Sequence, residues 1–133
     1  GPEGAGCIDL DKSPSENLRA LAEAKGVYVA DLTVAMLDRP RHEGLIREVR
    51  KAGARIRLLA DGDVAPAIAT AKPDSGIDML LGTGGSSQGI LTAAAIRCTG
   101  GDMQARLRPR SADEARRLQE FGIENVGDRM TLE

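Results

Sequence analysis

The 133-residue sequence predicts an α/β fold, with strands and helices in alternation, a mostly parallel sheet, and helices on both faces. Three observations predict it. Short runs rich in Leu, Ile, Val and Met alternate with segments of helical periodicity from end to end. The runs are almost continuously apolar, as strands covered on both faces require. The connections are short and punctuated by Gly, Pro and Asp. The length fits one domain, residues 1–133.

Residues 1–12 read as an extended or loop lead-in. Ser13 starts a helix: it can cap, Pro14 suits the first turn, and Glu16 completes a capping box. Leu18, Leu21 and Ala22 follow at helical spacing, and Gly26 supplies a stop. Residues 32–37 read as the first sheet strand. A helix over 42–51 then places Leu45, Ile46 and Val49 on one face. Residues 55–60 form the next strand, and a helix over 64–71 carries Pro66 in its first turn. After the turn at 73–76, residues 77–81 read as a short buried strand. A glycine-rich loop at 82–87 leads into a helix over 88–98. Residues 103–107 are expected to form a fourth strand. A last helix begins at Ser111, and 123–133 reads as the truncated start of a further element.

Composition excludes several function classes. Charges nearly cancel, with 18 basic and 20 acidic residues, so nothing marks a nucleic-acid binder. Aromatic residues make up only 2%, which leaves no stacking platform for single strands. No apolar run is long enough for a bilayer span, and no signal-peptide pattern opens the chain. Cys7 and Cys98 show neither metal-ligand spacing nor a disulfide framework. The expectation is a cytoplasmic protein with reduced thiols.

In a parallel sheet the loops following the first three strands share one edge, where ligands of open α/β sheets bind. The first loop carries Asp38, Arg39, Pro40 and Arg41. Its two guanidinium groups match phosphate oxygens in geometry, although a solvated basic loop has the same composition. The second carries Asp61, Gly62 and Asp63. Its carboxylates suit sugar hydroxyls or a hard cation, and Asp63 also suits a helix N-cap. The third, residues 82–87, includes Gly85 and resembles an anion cradle before a helix N-terminus. A tight turn with a serine cap is the alternative there. The loop lacks the ending of a P-loop and the third glycine of a dinucleotide fingerprint. His42, the only histidine, reads as a helix-start residue or phosphate ligand rather than a catalytic base.

The order of these motifs resembles class II fructose-1,6-bisphosphatases of bacteria, including those that also act on sedoheptulose 1,7-bisphosphate. The resemblance is carried by three segments: Asp31 with the run to His42, Gly53 with the run to Val64, and Gly76 with the run to Gly82. The stretches at 8–11, 16–18 and 101–107 also fit. It implies one domain of a two-domain sugar-phosphatase fold and a metal-dependent 1-phosphatase using Mg²⁺ or Mn²⁺. Arg39 and Arg41, with Pro40 between them, would hold the phosphate remote from the metals. Asp61 and Asp63, around Gly62, would bind the sugar hydroxyls, and Gly85 would line the pocket.

This sequence departs from the family pattern in two ways. The domain holding most of the family's metal carboxylates is absent, so the isolated chain is expected to be inactive. Gln88 stands where the family has a metal-binding glutamate, and a neutral amide is the weaker ligand for a hard cation. The alternative reading is a degenerate, non-enzymatic sugar-phosphate-binding or assembly domain. A third, an aspartyl-phosphate phosphatase built on Asp61 and Asp63, lacks the Gly-Thr expected after the second aspartate. The partner implied is fructose 1,6-bisphosphate or a related sugar bisphosphate, without nucleic acid or membrane. Apolar surface where the absent domain would dock allows a homo-oligomer.

Overall fold

A computed structural model describes residues 4, 6–62, 64–72, 74–82, 94, 96, 98, 100–106 and 130. Helix α1 spans Pro14–Lys25. Ser13 Oγ accepts from the Glu16 N–H at 3.2 Å and donates to Glu16 Oε1 at 3.1 Å. The glutamate therefore returns its bond to the cap hydroxyl, a variant of the predicted capping box. Gly26 ends the helix in the left-handed region. A 3-10 turn at Val29–Asp31 leads into strand β1, Thr33–Leu37. A second 3-10 turn, Pro40–His42, runs directly into α2, Glu43–Ala52. Strand β2 is Arg55–Leu59, helix α3 Val64–Ala69, and strand β3 only Met79–Leu80.

The three strands form a parallel sheet in the order β2-β1-β3. Val34 pairs with Ile56 on one side and Met79 on the other. Central β1 is buried from Val34 to Leu37, which explains its continuous apolar run. Val34 and Met36 pack with Leu18, Leu21, Ile46 and Val49 in the main core, so α1 and α2 cover this face. Each such side chain contributes about 1.5–3 kcal/mol on full burial. The β1-α2-β2 crossover steps one way and β2-α3-β3 steps back over β1. With both right-handed, α3 falls on the opposite face, where it meets β3. Among the described residues β2 is an edge strand, and its exposed Arg55 and Arg57 suit that position.

The expected fourth strand differs from the structure. Among residues 103–106 only Ala105 pairs, in an isolated antiparallel bridge to Met130, and Leu107 lies outside the described residues. The neighbouring side chains hold the lead-in instead. Gln104 accepts from the Leu10 N–H at 2.7 Å and donates to Ile8 O at 2.9 Å. Buried Asn17 clasps the other edge of the same segment, accepting from Asp9 N at 2.8 Å and donating to Asp9 O at 2.9 Å. The predicted helix over 88–98 and the last helix fall largely or wholly outside the described residues.

Candidate functional site at the carboxyl edge of the sheet

The strand order reverses between β1 and β3, and the crevice beyond their carboxyl ends is where such sheets hold ligands. The first loop leaves β1 at Leu37. The Asp38 N–H donates to Leu59 O at 2.8 Å, which binds the loop to the end of β2. Pro40 opens the 3-10 turn, where its missing N–H costs nothing.

Arg39 joins the first loop to the second. Its Nη1 donates to Ala60 O at 2.8 Å and to Asp38 O at 3.1 Å, and Nη2 lies 3.7 Å from Asp61 Oδ1. Asp61 itself is 96% exposed, and its Oδ1 accepts from the Gly62 N–H at 2.9 Å. Gly62 turns the chain at φ 79°, a conformation that favours glycine. The second loop therefore presents a solvent-facing carboxylate beside a guanidinium, positioned by short local bonds.

The third loop begins beside the first. The Leu81 N–H donates to Ala35 O at 3.3 Å, carrying the β3 register to the end of the strand. Gly82 follows at φ 154°, and a Cβ there would stand 3.0 Å from His42 Cε1 and 3.1 Å from Nε2. His42 is only 1% exposed, so it is a buried helix-start residue and not a surface phosphate ligand. Its Nδ1 donates to Leu37 O at 2.9 Å, since a carbonyl can only accept. Arg41, between Pro40 and His42, is exposed. Asp63, Gly85 and Gln88 lie outside the described residues.

An open groove of about 360 Å³ runs beside the first loop. It is lined by Asp38, Arg39, Pro40, Glu43, Ile46, Arg50 and Leu58. Its lining includes Leu58 of β2 and charges of both signs.

Comparison with known proteins identifies the chain. The profile of the family described as bacterial fructose-1,6-bisphosphatase, glpX-encoded, matches residues 1–133. The chain belongs to this family. A curated relative from Microcystis aeruginosa, named D-fructose 1,6-bisphosphatase class 2/sedoheptulose 1,7-bisphosphatase, is 41% identical over 136 aligned positions. That alignment covers 93% of this chain and 39% of the relative. A relative of the same name from Synechocystis is 45% identical over 106 positions, covering 80% of this chain and 31% of its own length. One from Synechococcus is 39% identical, with 93% and 39% covered. The chain thus spans well under half the length of these relatives.

Set within the glpX-type family, the carboxyl edge has a divided chemistry. Guanidinium and carboxylate groups meet at Arg39 and Asp61, and backbone of the third loop closes against the first at Gly82. Among the described residues no group of three or more His, Cys, Asp or Glu could hold a metal ion. The described donor set therefore does not form a metal centre. Among the same residues no helix is long and apolar enough to cross a membrane.

Sequence reasoning missed a second polar cluster at the opposite, amino end of the strands. Asp78 Oδ2 accepts from the Thr33 N–H at 2.8 Å, and Oδ1 pairs with Lys25 Nζ at the end of α1. The contact joins residues far apart in sequence, and no local motif announces it. It fixes β3 to β1 from the end remote from the ligand edge.

Proposed function

We propose that residues 1–133 serve as the sugar-phosphate-holding domain of a fructose-1,6-bisphosphate 1-phosphatase in central sugar-phosphate metabolism of the gluconeogenic or Calvin type, within the cytoplasm. In this reading Arg39 and Arg41 hold the phosphate that is not cleaved. Asp61 and Asp63 accept hydrogen bonds from the sugar hydroxyls, and Gly85 lines the pocket. The observation that supports it most is the bridge from Arg39 to Ala60 and Asp61, which joins two of the three loops on one edge.

These residues supply orientation. A ketose bisphosphate gripped at its remote phosphate and hydroxyls has its reactive phosphate placed, which converts binding energy into positioning. Mg²⁺ or Mn²⁺ would supply the Lewis acid of the phosphatase reaction, and the described residues offer no group of three or more ligands for it. The isolated chain is proposed to bind sugar phosphate without appreciable turnover.

Calorimetric titration with fructose 6-phosphate, with and without Mg²⁺, tests this. Weak, metal-independent binding is expected, lost when Arg39 and Arg41 are both replaced by Ala. Equal affinity in the double variant would refute the assignment. Rapid metal-dependent phosphate release from fructose 1,6-bisphosphate by the pure chain would refute the proposed division of labour.

A further inference from the structure

We propose that His42 is a positioning residue for sugar-phosphate binding, its imidazole fixing the distance between the arginine loop and the glycine-rich loop across the β1/β3 crevice. The proposal rests on the sugar-phosphate reading of this edge. His42 is among the largest fully buried side chains and, with Asn17, one of the buried polar ones. Asn17 has a plain structural task in clasping Asp9. His42 stands instead where the topology reverses, directly after Arg39, Pro40 and Arg41.

Each edge of its ring meets a different part of the crevice. Nδ1 donates to Leu37 O at 2.9 Å, the last carbonyl of β1. Cε1 and Nε2 lie against Gly82, where an added Cβ would come within 3.0 and 3.1 Å. Such an approach is tighter than nearly all real side-chain contacts, so only glycine lets the third loop close on the ring. The Arg39 carbonyl accepts from the His42 N–H at 2.9 Å, which couples the ring's position to the arginine loop through one backbone turn. The imidazole is thus a spacer between the groups that would grip the phosphate and the loop that would line the sugar. A displacement of a few tenths of an ångström at Gly82 is expected to matter because a ligand spanning two loops requires both in register.

The test uses the whole chain and fructose 6-phosphate, read by calorimetry, with thermal melting in parallel. His42→Asn retains a donor for Leu37 O but removes the edge facing Gly82. It is expected to weaken binding about tenfold and, because the ring is fully buried, to lower the melting temperature as well, so affinities are compared at a temperature where every variant is folded. Gly82→Ala, which pushes on the ring, is expected to weaken binding similarly. The double variant should lose less affinity than the product of the two single losses, because the contact is already gone. Backbone strain from Ala at φ 154° enters both backgrounds equally and does not mimic this non-additivity. Unchanged affinity in His42→Asn, or losses that multiply, would overturn the proposal.

Amide hydrogen exchange without ligand provides a second readout. His42→Asn should speed exchange at Glu43, whose N–H bonds Pro40 O, and at Leu81, whose N–H bonds Ala35 O, together, and unaltered protection at both would also overturn the proposal. If the wild-type chain fails to bind fructose 6-phosphate while this coupled exchange is seen, the sugar-phosphate reading fails and the spacer stands as a structural device. That outcome contradicts the role in binding proposed here.

Discussion

Replacing Arg39 separates its structural task from its proposed ligand task. The side chain donates two hydrogen bonds from Nη1, to Ala60 O and Asp38 O, and is 33% exposed. Buried bonds from a charged donor contribute about 1.5–3 kcal/mol each. Water replaces part of that here, so Arg39→Ala should cost roughly 1–2 kcal/mol of stability and Arg39→Lys roughly 1. The neighbouring ion pair is long, at 3.7 Å, and Asp61 is almost wholly solvated. Asp61→Asn should therefore change stability by less than about 0.5 kcal/mol. Urea unfolding measures both through the shift in midpoint at constant slope. Wild-type stability in Arg39→Ala, or an Asp61→Asn cost equal to it, would show that the bridge between the loops is not formed as described.

Two further predictions concern regions away from the ligand edge. Asp78→Ala removes a charged acceptor from the Thr33 N–H and a partner from Lys25. It should cost about 2–3 kcal/mol in urea unfolding, against about 1 for Lys25→Met, and equal costs would contradict this order. Burial raises the Cys7 thiol above its ordinary pKa, whereas Cys98 is exposed. Iodoacetamide at neutral pH should modify Cys98 first by mass spectrometry, since the thiolate is the reacting form. Folded Cys7 holds its proton more tightly than the unfolded chain does. Its contribution to stability is present at neutral pH and is lost as pH rises through the folded value. Equal labelling of the two thiols would contradict the assigned environments.

Local chemistry was readable from the residues and distant partners were not. Helix α1 was legible because Ser13, Pro14, Glu16 and Gly26 act within a turn of their own positions. Strand β1 was legible because both of its faces are buried. Strand β3 is shorter than its apolar run, yet the Asp78 N–H bonds Thr33 O and the Leu81 N–H bonds Ala35 O, so its contact with β1 extends one residue past each end. Residues 103–106 have a strand-like composition, yet Gln104 reaches back to Ile8 and Leu10. No periodicity signals a partner more than ninety positions away. At the ligand edge, Arg39 was singled out for its charge, but its acceptor is the Ala60 carbonyl, a group every residue carries. His42 reads from the sequence as a helix-start residue or phosphate ligand. Its burial against Gly82 depends on the sheet order, which a reading along the chain does not supply.

Three loops on one sheet edge are proposed to hold a sugar phosphate. Nuclear magnetic resonance of the isotope-labelled chain during titration with fructose 6-phosphate tests it most directly. Amide shifts are expected to concentrate at residues 38–42, 60–63 and 82–88, with the Lys25 and Asp78 end of the sheet unmoved. Shifts confined to the groove formed by Glu43, Ile46, Arg50 and Leu58, or spread around the amino ends of the strands, would contradict it.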